Sequence, residues 1–86
     1  MTKAEITHKL VDALRGELLF RDDKLAQAAL VKDVDKTTYE ALVQSARYCR
    51  SFCNGIVKAG KMLGVNIHVD YAPWEDKTPR ERITVL

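Results

Sequence analysis

A run of small and apolar residues in the middle of this chain constrains its fold more than any other feature. Tyr39, Leu42, Ala46, Cys49, Cys53, Ile56, Gly60 and Leu63 fall at alternating spacings of three and four. That alternation is the seam of one helix lying along another. On the opposite side Glu40, Gln44, Arg47, Ser51, Asn54, Lys58 and Lys61 keep the same alternation and are all polar. A long helix over about residues 37–63, dry on one side and wet on the other, is therefore predicted. The rest of an 86-residue chain must be arranged around it.

A chain of this length supports one domain, residues 1–86. With 47% hydrophobic and 30% charged residues and no low-complexity run, its composition is that of an ordered globular protein. The net charge of +2 is too small to name a partner, but its distribution says more. Arg47, Arg50, Lys58 and Lys61 follow one another with no acidic residue between them, while Asp22, Asp23, Asp33 and Asp35 cluster earlier. No apolar run approaches the length of a membrane span, and Lys3, Glu5, His8 and Lys9 interrupt what a signal peptide would need as an apolar core. A cytoplasmic location, with both cysteines reduced, is expected.

Thr2 and Glu5 have the spacing of a capping box. Ile6, Leu10, Leu14 and Leu18 then mark the apolar face of a first helix, residues 3–20. Asp22 and Asp23 suit the start of a short second helix, Leu25 to about Lys32, because carboxylates favour a helix N-terminus. After a connection at residues 33–36, Thr37 and Glu40 repeat the capping-box spacing at the start of the long third helix. Gly64 is placed to end it. Val65, Ile67, Val69 and Tyr71 alternate with polar residues, the period of a half-buried strand, and Pro73 closes that segment. Beyond a polar loop at 74–80, residues 83–86 form a second strand that pairs antiparallel with the first. The expected fold is thus α+β: three helices, the third long, followed by a C-terminal two-stranded antiparallel β-hairpin.

Cys49 and Cys53 share one side of the long helix, but only His68 and Asp70 are at hand to complete a metal site, and no Cys-x-x-Cys redox motif occurs. Their positions on the seam make them packing residues, free cysteine being among the most buried residue types. Neither His8 nor His68 has a nucleophile or carboxylate at catalytic spacing, and the glycines form no phosphate loop. No enzyme, cofactor or metal is expected; a small metal- or thiol-dependent protein ranks third among the readings.

The residues that remain are those of binding. Trp74, the only tryptophan, follows Tyr71 at the hairpin corner, and such aromatics often anchor interfaces. Arg47, Arg50, Lys58 and Lys61 line the polar side of the long helix. The leading expectation is a small non-enzymatic regulator or inhibitor that occupies a surface of a larger protein through these six residues, the kind of protein that bacteriophages and mobile elements encode. Self-association through the long helix or a hairpin edge is a further expectation.

The alternative is a DNA-binding regulator. Leu25-Ala26-Gln27-Ala28-Ala29-Leu30, followed by Val34-Asp35-Lys36-Thr37-Thr38-Tyr39-Glu40-Ala41-Leu42, resembles a helix-turn-helix of repressor type. In that motif a helix with a central alanine meets a turn, and a Val-x-Lys-Thr-Thr stretch opens the recognition helix. Here Val31-Lys32-Asp33 lengthens the turn and the usual turn glycine is absent. The resemblance implies duplex contacts from Lys36, Thr37 and Thr38, joined by Arg47 and Arg50, with residues 72–80 as a wing.

Overall fold

In the computed structural model, which describes residues 1–71 and 77–86, the chain forms two long helices and a small sheet. Helix α1 spans Lys3–Val31 and helix α2 spans Lys36–Met62. Strands β1 (Ile67–Val69) and β2 (Ile83–Val85) pair antiparallel, with Ile67 opposite Val85, His68 opposite Thr84 and Val69 opposite Ile83. A single 3-10 turn, Arg80–Arg82, leads into β2. The two helices lie side by side as an antiparallel hairpin, which gives the molecule extents of 49 × 23 × 17 Å.

The α+β class and the C-terminal hairpin agree with the sequence, but there are two helices and not three. The predicted break at Asp22 and Asp23 does not occur: α1 runs through it to Val31. Aspartate inside a helix costs only a few tenths of a kcal/mol, about 0.7 at most relative to alanine, so it breaks nothing by itself. Both carboxylates also have partners here. Gln27 Nε2 donates to Asp23 Oδ2 one turn on, at 2.7 Å, and Asp22 accepts from Arg82. Gly16 does not interrupt the helix either.

The helix ends are fixed by local chemistry. Thr2 and Glu5 form the expected capping box, the Glu5 N–H donating to the Thr2 hydroxyl at 3.1 Å and the Thr2 N–H to the Glu5 carboxylate at 3.4 Å. At α2 the cap is Asp35 and not Thr37: the Thr38 N–H donates to Asp35 Oδ1 at 3.1 Å and the Thr38 hydroxyl to Oδ2 at 2.7 Å. Aspartate is the stronger N-cap, so the helix starts at Lys36. Gly64, at φ +80°, ends α2 as expected. The Val65 N–H donates to Gly60 O at 2.8 Å and the Gly64 N–H to Lys61 O at 3.1 Å, the paired bonds of a Schellman turn.

The seam works as an inter-helix contact. Ala46, Cys49, Cys53 and Gly60 are buried, Tyr39, Leu42 and Ile56 are half-buried, and Leu63, beyond the last turn, is exposed. Opposite them α1 buries Val11, Leu14 and Leu18. Gly60 leaves no room for a side chain, since a Cβ would lie 3.1 Å from Leu10 Cδ1 and 3.2 Å from the Val65 carbonyl oxygen. The sheet covers one side of this hairpin, β1 beside α2 and β2 beside α1. Val65, Ile67, Val69 and Ile83 close the core over Leu14, Leu18 and Cys53, with Ile6, Leu10, Ile56, Val57 and Tyr71 around its margin.

Candidate binding surface

Along the outer flank of α2, Arg47, Arg50, Lys58 and Lys61 are all exposed. A helix rises about 1.5 Å per residue, so the four cations extend over roughly 20 Å of one rigid element. None of them forms an ion pair with a described residue; the ion pairs found are His8–Asp12, Arg15–Asp12, Lys36–Glu40 and Arg82–Asp22. Arg50 is held in another way: its guanidinium lies over the Tyr71 ring, 4.8 Å from the centroid. The Tyr71 hydroxyl donates to Asn54 Oδ1 at 3.0 Å. The end of the first strand segment is thereby tied to the polar face of α2, and Tyr71, Arg50 and Asn54 form one patch.

Beneath that patch lie the thiols. Cys49 and Cys53 are both free and buried, and the Glu17 carboxylate of α1 is close to each. Burial first, then Glu17, pushes the Cys49 thiol up. Burial, then Glu17 and then Cys49, pushes the Cys53 thiol up to about 11. Burial, and then Cys53, pushes the Tyr71 hydroxyl up to about 12. Groups held this firmly in their protonated forms are poor nucleophiles at neutral pH. Among the described residues no three His, Cys, Asp or Glu side chains converge as a metal site would require. His8 pairs with Asp12 at 3.2 Å on the exposed side of α1, and His68 is exposed on β1.

The structure thus joins Tyr71 to Arg50 and places Arg47, Lys58 and Lys61 along the same helix; Trp74 lies outside the described residues. Lys36, Thr37 and Thr38 are at the other end of the molecule, in the first turn of α2 at the tip of the helical hairpin. There Thr38 is engaged by the Asp35 cap and Lys36 lies 4.0 Å from Glu40. Residues 25–30, which the helix-turn-helix resemblance takes as a separate first helix, are the last turns of α1.

Asn54 is a member of the patch that the sequence did not single out, since a polar residue on a polar face carries no distinguishing signal. A second set of exposed side chains is apolar. Phe20, Tyr48 and Phe52 are 49%, 60% and 66% exposed on the side of the helices that the sheet leaves bare. Tyr48 and Phe52 belong to the long helix and Phe20 to the helix before it, so no single periodicity joins them.

No family model, curated protein or solved structure matches this chain. No described helix is long and apolar enough to cross a membrane.

Proposed function

We propose that this is a non-enzymatic binding protein, regulatory or inhibitory in kind, that occupies an acidic surface of a larger protein. The contact face is the outer flank of α2, with Arg47, Arg50, Lys58 and Lys61 as its cations and Tyr71 beside them. One observation carries the reading: four exposed cations share one rigid helix without a described ion-pair partner, and the arginine nearest the sheet is held over an aromatic ring. Charge left unpaired on a fixed scaffold favours and orients a partner of opposite sign. The thiols beneath are buried and held protonated, so they contribute packing and not chemistry.

Duplex DNA is the competing partner for the same cations. The tip of the hairpin argues against it, because Asp35 and Glu40 set carboxylates among Lys36, Thr37 and Thr38, where phosphates would have to come.

The test is capture from a lysate of the source cells on the immobilised full-length chain, with and without nuclease. A variant with Arg47, Arg50, Lys58 and Lys61 all changed to Glu is run beside it. The proposal expects a protein retained after nuclease treatment by the wild type and lost by the variant, with unchanged far-UV circular dichroism. Retention by both forms refutes it. Retention that nuclease abolishes, with a log–log salt slope of about −3 to −4 on duplex DNA, transfers the face to nucleic acid.

A further inference from the structure

On the side of the helical hairpin away from the sheet, α2 carries an uncharged strip that nothing among the described residues covers. Along α2 the residues on it are Ser45, Tyr48, Phe52, Gly55, Ala59 and Met62, again at alternating spacings of three and four and without a charge among them. This is a second seam, turned away from the one that meets α1. Tyr71 reaches α2 at Arg50 and Asn54, on the far side of the helix from Phe52, since successive residues turn by about 100°. Phe20 of α1 extends the strip beside Ser45 and Tyr48, with Glu17 at the margin of the same hollow and the Lys24 ammonium 5.0 Å from the Phe20 ring centroid. Tyr48 is 60% exposed, Phe52 66% and Met62 88%.

We infer that this strip is the interface of a symmetric dimer in which two copies of α2 pack antiparallel across a two-fold axis between Phe52 and Gly55. The order of residue sizes carries the inference. In an antiparallel pair the seam positions face one another in reverse order. A two-fold axis between Phe52 and Gly55 sets Phe52 against the partner's Gly55, Tyr48 against the partner's Ala59, and Ser45 against the partner's Met62. Every layer then joins one large and one small side chain, which is how facing helices interdigitate at close range. Isologous pairing makes each such layer occur twice. Met62 arrives beside the partner's Phe20, a sulfur–aromatic contact.

Size and charge agree with this occupant. Aromatic side chains carry about 150–250 Å² each, so Phe20, Tyr48 and Phe52 leave roughly 300–400 Å² exposed between them. Met62, Ala59 and Gly55 add to this and bring the strip toward the ~800 Å² that each partner contributes to a standard interface. On the polar edge of the seam stand Gln44, Ser51 and Lys58. Antiparallel pairing brings Lys58 to the partner's Ser51 or Gln44 and not to another cation. Arg47, Arg50 and Lys61 point away from the seam, so the dimer leaves these three cations of the face argued above open on both flanks, with Lys58 at its edge.

Gly55 supplies the decisive test. A Cβ at Gly55 meets nothing within 4 Å in the single chain, so a side chain there starts out in open space, and circular dichroism checks that the protomer stays folded. Sedimentation equilibrium of the full-length protein across the micromolar range should give twice the 9.7 kDa chain mass. Gly55→Phe should return it to the chain mass with unchanged circular dichroism. Phe52→Ala should raise the dissociation constant at least about tenfold. The double variant F52A/G55F should recover dimer, because each copy again offers one large and one small residue at facing positions. A monomeric wild type, a dimer indifferent to Gly55→Phe, or a double variant no better than Gly55→Phe alone would each overturn the inference; the first would leave the strip to a helix of another protein.

Discussion

Arg82, 2% exposed, holds Asp22 with both terminal nitrogens across a separation of 60 residues. Nη1 donates to Oδ1 at 3.1 Å, Nη2 donates to Oδ2, and Nε donates to the Thr78 carbonyl at 3.4 Å. The pair fastens the turn before β2 to the middle of α1. It also explains why an aspartate that looks like a helix start lies inside a helix. A bidentate arginine–carboxylate pair fixes geometry as well as energy.

Removing the carboxylate strands a buried guanidinium. Asp22→Ala should destabilise the fold by about 2–3 kcal/mol. That is below the ~3–5 of a fully buried pair, because the Asp22 side chain is 38% exposed. Arg82→Leu should cost less, since it removes the buried charge together with its need for a partner. Urea unfolding of both variants and of the double variant measures the coupling. Equal losses for the two single variants would refute this account.

Two glycines of α2 and α1 should respond with opposite signs. Gly60→Ala drives a methyl to 3.2 Å from the Val65 carbonyl, a backbone atom that cannot swing aside, and should cost about 1–3 kcal/mol. Gly16→Ala meets nothing within 4 Å and should stabilise by about 0.5–1 kcal/mol through helix propensity. Thermal melts of the two proteins decide it.

Stability should fall in alkali. The Cys53 thiol rises from 9.0 to about 11 and the Tyr71 hydroxyl from 10.0 to about 12. Both hold their protons more tightly folded than unfolded. Their contribution is therefore complete below pH 9 and is lost as the pH rises through 11 to 12. After discounting for solvent screening, the Cys53 share is about 1–2 kcal/mol. Denaturant midpoints measured from pH 8 to 11 should fall, and Cys53→Ala should flatten the slope; an unchanged slope would count against burial as the cause.

The same thiols should resist modification. A chromogenic disulfide reagent at pH 8 should label neither Cys49 nor Cys53 in the folded chain and both after denaturation, because each is buried and held protonated. Prompt labelling of the native protein would contradict the packing role given to them.

Much of this molecule was legible because its signals are local. The seam from Tyr39 to Gly60, the Thr2–Glu5 box, the Gly64 stop and the alternation from Val65 to Val69 each report a backbone state through neighbours a few residues away. The basic flank was legible too, since helical spacing alone puts Arg47, Lys58 and Lys61 on a polar side. Asp35 took the cap expected of Thr37 because two cap residues so close compete, and spacing does not rank them.

What the sequence determined by itself, then, is a long two-faced helix, an apolar face on the helix before it, and a hairpin after it. Only the tertiary structure decided that Asp22 and Asp23 lie inside one continuous helix, because the partner that occupies Asp22 comes from the far end of the chain. It alone decided which side of the helical hairpin the sheet covers. A three-residue strand can lie over either side of two helices, and the choice rests on long-range contacts: Arg82 with Asp22 and Tyr71 with Asn54. That choice leaves Tyr48 and Phe52 exposed. Periodicity records which residues share a face; it does not record what comes to rest upon it.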